Sequence, residues 1–176
     1  MPDATGLELI AHDLGDTVLE TVYFRERATL EIDPAAIRTT LQHLRGLGYT
    51  LLASVHGVDY YPHEPRLGVI YELLDMSSVD RISVKLRVPS DAPEVDSVTP
   101  DLDAADAGGP IAGWPTANHQ EREIYDMFGV LFRGHPDLRR ILMPEDYEGH
   151  PQRRDFPLGG EPVLFTYNES DDLGPP

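Results

Sequence analysis

The sequence predicts an α+β chain: a single two-layer domain with a mostly antiparallel or mixed sheet and helices on one face, followed by an extended C-terminal arm. Runs that alternate apolar and polar residues with period two surround one stretch of 3.6-residue periodicity in the first ninety residues. A second helical stretch stops at Gly129, and beyond it Gly, Pro, His and Arg crowd the chain and neither periodicity returns. The expected boundaries are 1–112 for the α+β domain and its closing acidic loop, 113–158 for a signature helix and docking arm, and 159–176 for an irregular or disordered tail.

Taken in order, Val18 to Phe24 and Ala28 to Ile32 read as strands with one buried face. Asp33 and Pro34 supply an N-cap and a first helical position, and Ile37, Leu41, Leu44 and Leu47 form an apolar stripe that stops at Gly48. Tyr49 to Val58 is nearly continuous in apolar residues and suits a central strand; Leu67 to Leu74 follows a Pro-containing connection. In Arg81 to Val88, Ile82, Val84, Leu86 and Val88 face one way and Arg81, Ser83, Lys85 and Arg87 the other, so the sheet is covered on one side only. Ser90 to Gly113 holds six acidic residues and no basic one, and reads as a solvated loop. Pro115 opens a helix that runs to Phe128 and is capped by Gly129.

Composition removes whole classes of function. A chain of 176 residues that is 40% hydrophobic is of a size for one core. It has no cysteine, which excludes disulfides, cysteine-held iron–sulfur clusters, thiolate zinc sites and cysteine nucleophiles. Apolar runs such as Tyr49 to Val55 fall far short of the roughly 20 residues that span a bilayer, and no basic region leads into an apolar stretch at the start. A cytosolic origin is expected. A formal net charge of −17 sets like against like for nucleic acid or anionic lipid.

The basic residues are uneven. Six of fourteen, Arg122, Arg133, Arg139, Arg140, Arg153 and Arg154, fall between 122 and 154, and Lys85 is the only lysine. Arginine suits fixed bidentate pairing with carboxylates, so the cluster points to recognition; a compositional preference for arginine is the plainer alternative. On the second helix Trp114, Ala117, Glu121, Ile124 and Phe128 share a face, which sets Glu121 within an apolar stripe and demands a cationic or donor partner for it. Arg122 and Asp126 are four apart and expected to pair along the helix.

Carboxylates and histidines in one segment raise acid–base or metal chemistry, with Glu121, His135 and His150 as the candidate set of a small metal-dependent hydrolase. Against it, both histidines precede proline in turns, and the helical His-x-x-x-His and Glu-x-x-His spacings are missing, as is a serine elbow. Neither a Gly-x-Gly-x-x-Gly nor a Walker-type loop offers a seat for a nucleotide. Tyr60-Tyr61 after Asp59 reads as strand-end packing. Gly134 to Arg140 is echoed by Gly149 to Arg154, which implies two similar turns presenting arginines.

The run Glu121-Arg122-Glu123-Ile124-Tyr125-Asp126-Met127-Phe128-Gly129-Val130, continued by Phe132-Arg133-Gly134-His135-Pro136-Asp137-Leu138-Arg139-Arg140-Ile141-Leu142, closely resembles the signature of the 30 kDa (C-type) subunit family of respiratory complex I, the proton-pumping NADH:quinone oxidoreductase. Pro144 to Pro151 and Arg153 to Leu158 resemble the family's downstream segment, and the more variable upstream part fits over most of the chain. His119 stands where the family usually carries an aromatic, and the acidic stretch from Pro100 to Gly113 resembles an insertion. The resemblance implies a non-catalytic subunit without flavin, cluster, quinone or any other cofactor. It further implies an arm that wraps against the quinone-site (49 kDa, D-type) subunit, with other peripheral-arm subunits as neighbours, at the cytoplasmic face of the cell membrane. Related membrane-bound hydrogenases and the photosynthetic relative of complex I contain similar subunits. Carried over by position, Glu121, Arg122, Glu123, Asp126, Gly129, His135, Pro136, Arg139, Arg140, Arg154 and Asp155 are the implied interface or arm-fixing residues, with structural roles.

Overall fold

The computed structural model describes residues 4–99 and 113–157. Five strands, β1 (Val18–Phe24), β2 (Arg27–Ile32), β3 (Leu51–Asp59), β4 (Leu67–Asp75) and β5 (Asp80–Val88), form one sheet in the order β1-β2-β5-β4-β3. Only the central β2–β5 pair is parallel; the others are antiparallel, so the sheet is mixed. Three helices, α1 (Ala4–Leu14), α2 (Ile37–Gly46) and α3 (Ala117–Phe128), contribute to the core, and a small parallel pair, β6 (Glu94–Asp96) with β7 (Leu131–Arg133), flanks α3. The architecture is α+β, as the alternating patterns imply.

The pattern of β5 explains the layering. Ile82, Val84, Leu86 and Val88 are all buried, and pairing places them beside Leu30 of β2 and Val69, Tyr71 and Leu73 of β4 on the same face. Ile37, Leu41 and Leu44 of α2, Leu7 and Ile10 of α1, and Ala117, Ile124 and Phe128 of α3 complete one continuous core with these strands. Each such aliphatic residue contributes about 1.5–3 kcal/mol on burial, so the helices are held by this stripe far more than by intrinsic propensity. The opposite face carries polar pairs, with Lys85 Nζ 2.6 Å from Glu31 and Ser83 donating to Glu72 at 2.9 Å.

Helix boundaries follow local chemistry. Asp33 accepts the Ala35 N–H at 2.8 Å and caps a short 3-10 turn, Pro34–Ala36, that leads into α2. The stretch from Pro115 forms a turn first, and α3 proper starts at Ala117. It ends at Gly129, whose φ of +75° is the left-handed cap and whose N–H bonds the Tyr125 carbonyl at 2.9 Å.

Three expectations are corrected. β1 has no buried face: its residues from Leu19 to Phe24 are exposed, because β1 is an edge strand and the core ends at β2. The stretch after Ser90 is not solvated throughout, since Val95, Ser97, Val98 and Thr99 are all buried against α3 and β7; residues 100–112 lie outside the described residues. The first helix, α1, carries Leu7, Ile10, Ala11 and Leu14 at helical spacing, a stripe the strand-centred reading overlooks. The tail at 159–176 also lies outside the described residues.

Candidate functional site

The signature segment is organised around α3, whose side chains and terminal carbonyls take hold of three passing stretches of chain. Glu121 lies fully buried in the apolar stripe, as its position requires, and its partners are donors from the same chain. Ser97 Oγ donates to Oε2 at 2.6 Å, the Val98 N–H to Oε1 at 2.8 Å and Thr99 Oγ1 to Oε2 at 2.9 Å. These neutral donors replace water only in part, so burial still raises the Glu121 pKa, with the three hydrogen bonds pulling the other way.

On another side of the helix, Arg122 and Asp126 do not pair with each other, contrary to the expectation from their spacing. They grip one loop from both chemical sides. Arg122 donates from Nε to the Arg139 carbonyl and from Nη2 to the Arg140 carbonyl, each at 3.1 Å. Asp126, fully buried, accepts the backbone N–H groups of Ile141, Leu142 and Met143 on Oδ2 at 3.0, 2.8 and 2.9 Å, while Oδ1 takes Arg140 Nη1 at 2.7 Å. Burial works against the Asp126 anion, but three N–H dipoles and a guanidinium prevail and its pKa is lowered. A cation for carbonyls and an anion for N–H groups is the arrangement that fixes a backbone without secondary structure.

The C-terminal end of α3 holds the next stretch. Its last carbonyls lack intrahelical partners. His150 Nδ1 donates to the Asp126 carbonyl at 2.9 Å, the Gln152 N–H to Met127 at 3.1 Å, and Arg153 Nε to Phe128 at 2.6 Å. The guanidinium groups of Arg140 and Arg153 thus meet the negative end of the helix dipole. A Cβ on Gly129 would stand 2.4 Å from His150 Nε2 and 2.8 Å from Arg153 Nη2, so the cap position also makes room for this return of the chain.

Arg154 and Asp155 are fixed to the end of β3. Arg66, 7% exposed, forks onto Asp59 through Nε and Nη2 at 2.8 and 2.7 Å and onto Asp155 through Nη1 and Nη2 at 2.7 and 2.6 Å. The Arg154 N–H reaches Asp59 Oδ2 at 2.7 Å, and Arg154 Nη1 reaches the Tyr61 carbonyl at 3.2 Å. Arg66 lowers the pKa of both Asp59 and Asp155. Sequence reasoning missed Arg66 and Asp59 as site residues; an isolated arginine inside a Pro-containing connection gives no pattern to find it by.

His135 is buried at the start of the turn that follows β7. It accepts the Asp137 N–H on Nδ1 at 3.0 Å and lies 3.2 Å from the Asn118 carbonyl through Nε2, which is therefore the protonated nitrogen. Burial lowers its pKa, and the neutral ring stands 3.8 Å from Glu121. Pro136 follows in the same turn. His150 sits instead by the far end of α3, so the three residues of the metal-hydrolase alternative do not converge. No group of three or more His, Asp or Glu among the described residues is placed to hold a metal ion. Glu123 and Arg139 are exposed, the latter 62% in its side chain and 3.0 Å from Asp137. Among the described residues no helix is long and apolar enough to cross a membrane.

Comparison with known proteins converges with the motif. The chain matches the family of the respiratory-chain NADH dehydrogenase 30 Kd subunit over residues 30–108 and 111–162. The C-type subunit of NADH-quinone oxidoreductase from Roseiflexus sp. (strain RS-1) is 41% identical over 172 residues, covering 96% of this chain and 92% of that protein. Subunit 5 of the same oxidoreductase from Thermus thermophilus is 42% identical over 134 residues, 71% of this chain and 59% of that one. Among solved structures, the trypsin-resistant fragment (1-134) of Nqo5 is 31% identical with a TM-score of 0.53, over 64% of this chain and 83% of the fragment. A chain of the membrane-bound sulfane sulfur reductase, an archaeal respiratory membrane complex, shares the fold at 23% identity and a TM-score of 0.67, over 95% and 89% of the two chains. The chain belongs to the 30 kDa subunit family of respiratory-chain NADH dehydrogenase, whose members include the C-type subunits of NADH-quinone oxidoreductase.

Proposed function

We propose that this chain is a cofactor-free docking subunit of the proton-translocating NADH:quinone oxidoreductase, and that residues 134–157 form the surface it lays against the quinone-site (49 kDa, D-type) subunit in the peripheral arm, at the cytoplasmic face of the membrane. The observation that carries the reading is the use made of the charged motif. Asp126, Arg122, Arg140 and Arg153 spend their hydrogen bonds on backbone of the same chain and, between Asp126 and Arg140, on each other, which shapes a surface and leaves none of them aimed at a substrate. The shaped segment presents Ile141 and Leu142, 38% and 59% exposed, beside the exposed Arg139. Aliphatic tips on a pre-ordered backbone, rimmed by polar groups, have the composition of a protein interface and lose little entropy on binding.

Tagged chain isolated from native membranes should bring the quinone-site subunit with it, and chain purified alone should show no flavin, iron–sulfur or quinone absorbance. A redox group retained by the isolated chain, or substrate turnover by it, overturns the reading.

A further inference from the structure

β3 is the last strand of its sheet, so the outer edge of its backbone has no strand to pair with. The Tyr60 N–H bonds the Arg66 carbonyl at 2.9 Å, which makes Val58, His56 and Ser54, at steps of two, the residues that exchange bonds with β4. The N–H and carbonyl groups of Val55 and Gly57 therefore point off the edge of the sheet. The side-chain oxygen of Gln120, on α3, accepts the Val55 N–H as a neighbouring strand would. Alongside, a cavity of about 170 Å³ opens between strand and helix, with walls that include His56 and Gly57 of β3, Glu123, Ile124 and Phe128 of α3, and Gln152. A Cβ on Gly57 would collide with the Phe128 ring, so the glycine lets the helix pack this close to the strand.

Size limits what can enter. Pockets for whole small ligands run to about 300–1,000 Å³, whereas about 150 Å³ holds a group the size of benzene, so this cavity takes the end of one side chain. Charge selects the kind. Glu123 is exposed at the mouth, and among the described residues its carboxylate makes no hydrogen bond or ion pair. The other charged side chains of the motif are engaged elsewhere: Arg122 with the Arg139 and Arg140 carbonyls, Asp126 with Arg140, and Arg153 with the Phe128 carbonyl. No lysine or arginine lines the cavity, while the outward carbonyls of the β3 edge add acceptors. An anion would meet Glu123 as a like charge; a cation meets a carboxylate and backbone oxygens. Ile124 and Phe128 supply an apolar wall for the methylene stem that carries such a cation.

We propose that the cavity between β3 and α3 is the socket for one arginine or lysine side chain of a neighbouring subunit, its stem against Ile124 and Phe128 and its cationic head on the Glu123 carboxylate. The inference rests on the docking reading and deepens it: Gln152 belongs to residues 134–157, so the socket borders the surface that those residues form. Basic anchors seated in pockets are among the side chains that carry most of the binding energy at protein interfaces. Glu123 thus serves the partner, while Arg122 and Asp126 on either side of it in sequence serve the chain's own backbone.

The test compares wild type with Glu123→Gln and Glu123→Lys, each as full chain, purified alone and recovered with its subunits from native membranes. Purified, both variants should melt within about 2 °C of wild type, since the carboxylate has no partner within the fold. Recovery of neighbouring subunits should fall several-fold with Glu123→Gln, which keeps the size and removes the charge, and further with Glu123→Lys, which sets a like charge against the incoming cation. A larger drop in the melting temperature of purified Glu123→Gln overturns the proposal, because the carboxylate would then be paired inside the chain. Recovery by Glu123→Gln equal to that of wild type overturns it and leaves the docking reading standing, as does a Glu123→Lys that recovers more than Glu123→Gln; wild-type chain that recovers no subunit sinks both. An oligomer of the isolated wild-type chain that Glu123→Gln splits would give the cation to a second copy and overturn its assignment to another subunit.

Discussion

Asp126 and Arg140 meet at 2.7 Å, one in the last turn of α3 and one in the loop that follows β7, and the second oxygen of the same carboxylate closes over three successive backbone N–H groups. One aspartate thereby orders four consecutive residues that have no helix or strand to satisfy them. The side chain is fully buried and Arg140 is 14% exposed, so this contact operates at low solvent screening.

Asp126→Ala removes every one of these bonds at once and leaves Arg140 without its counter-charge. The expected loss is about 3–5 kcal/mol. Urea unfolding of the purified chain measures it, and limited digestion with trypsin should cut after Arg139 and Arg140 faster in the variant than in wild type.

Arg66→Met should release the other end of the segment. Asp59 is 3% exposed in its side chain and would lose its forked partner, for a loss of about 3 kcal/mol, while the half-exposed Asp155 adds little. Hydrogen exchange at the Arg154 amide, which is bonded to Asp59, should accelerate in the variant.

Two kinds of carboxylate respond to pH with opposite sign. The pKa of Glu121 is raised by burial, so its contribution to stability is fully present below its unfolded value, about 4.3, and is lost as pH rises through the folded one. Asp59, Asp126 and Asp155 are lowered, by Arg66 or by N–H groups and Arg140, so their contributions are present above about 3.9 and lost as pH falls through the folded values. Stability of wild type should therefore rise through Glu121 as pH is lowered through its raised folded pKa, and fall below about 4 as the aspartates protonate. Glu121→Gln should abolish the first change and keep the second, as read by denaturation midpoints across pH.

The helix α3 and the strands β2 and β5 were legible because each repeats its apolar period over several turns or residues, whereas β3, whose nearly continuous apolar run suited a central strand, lies at the sheet edge. Pro115, Gly129 and the alternation from Ile82 to Val88 are signals of that length. Period two alone did not reveal that β1 lies at an edge, since alternation says which residues share a face and not whether anything covers it. β6 spans three residues among acidic neighbours, below the window in which periodicity is visible, and Ser97 and Thr99 take their role only from the distant Glu121. The Arg122–Asp126 spacing suits a helical pair, yet the backbone groups of 139–143, which have no helix or strand of their own to satisfy them, take both side chains instead. The clamp between Asp59, Arg66 and Asp155 rests on a bond between residues 89 positions apart, Arg66 and Asp155, and leaves no local trace.

The docking role is tested most directly with Arg139→Ala in cells that carry no other copy of the subunit. Arg139 is 62% exposed and its side chain pairs with the exposed Asp137, so the isolated chain should unfold within about 0.5 kcal/mol of wild type. The amount of assembled oxidoreductase in the membrane should fall, and NADH:quinone turnover per assembled complex should equal that of wild type. Normal assembly with turnover lost would contradict the account, because the signature residue would then serve chemistry and not docking.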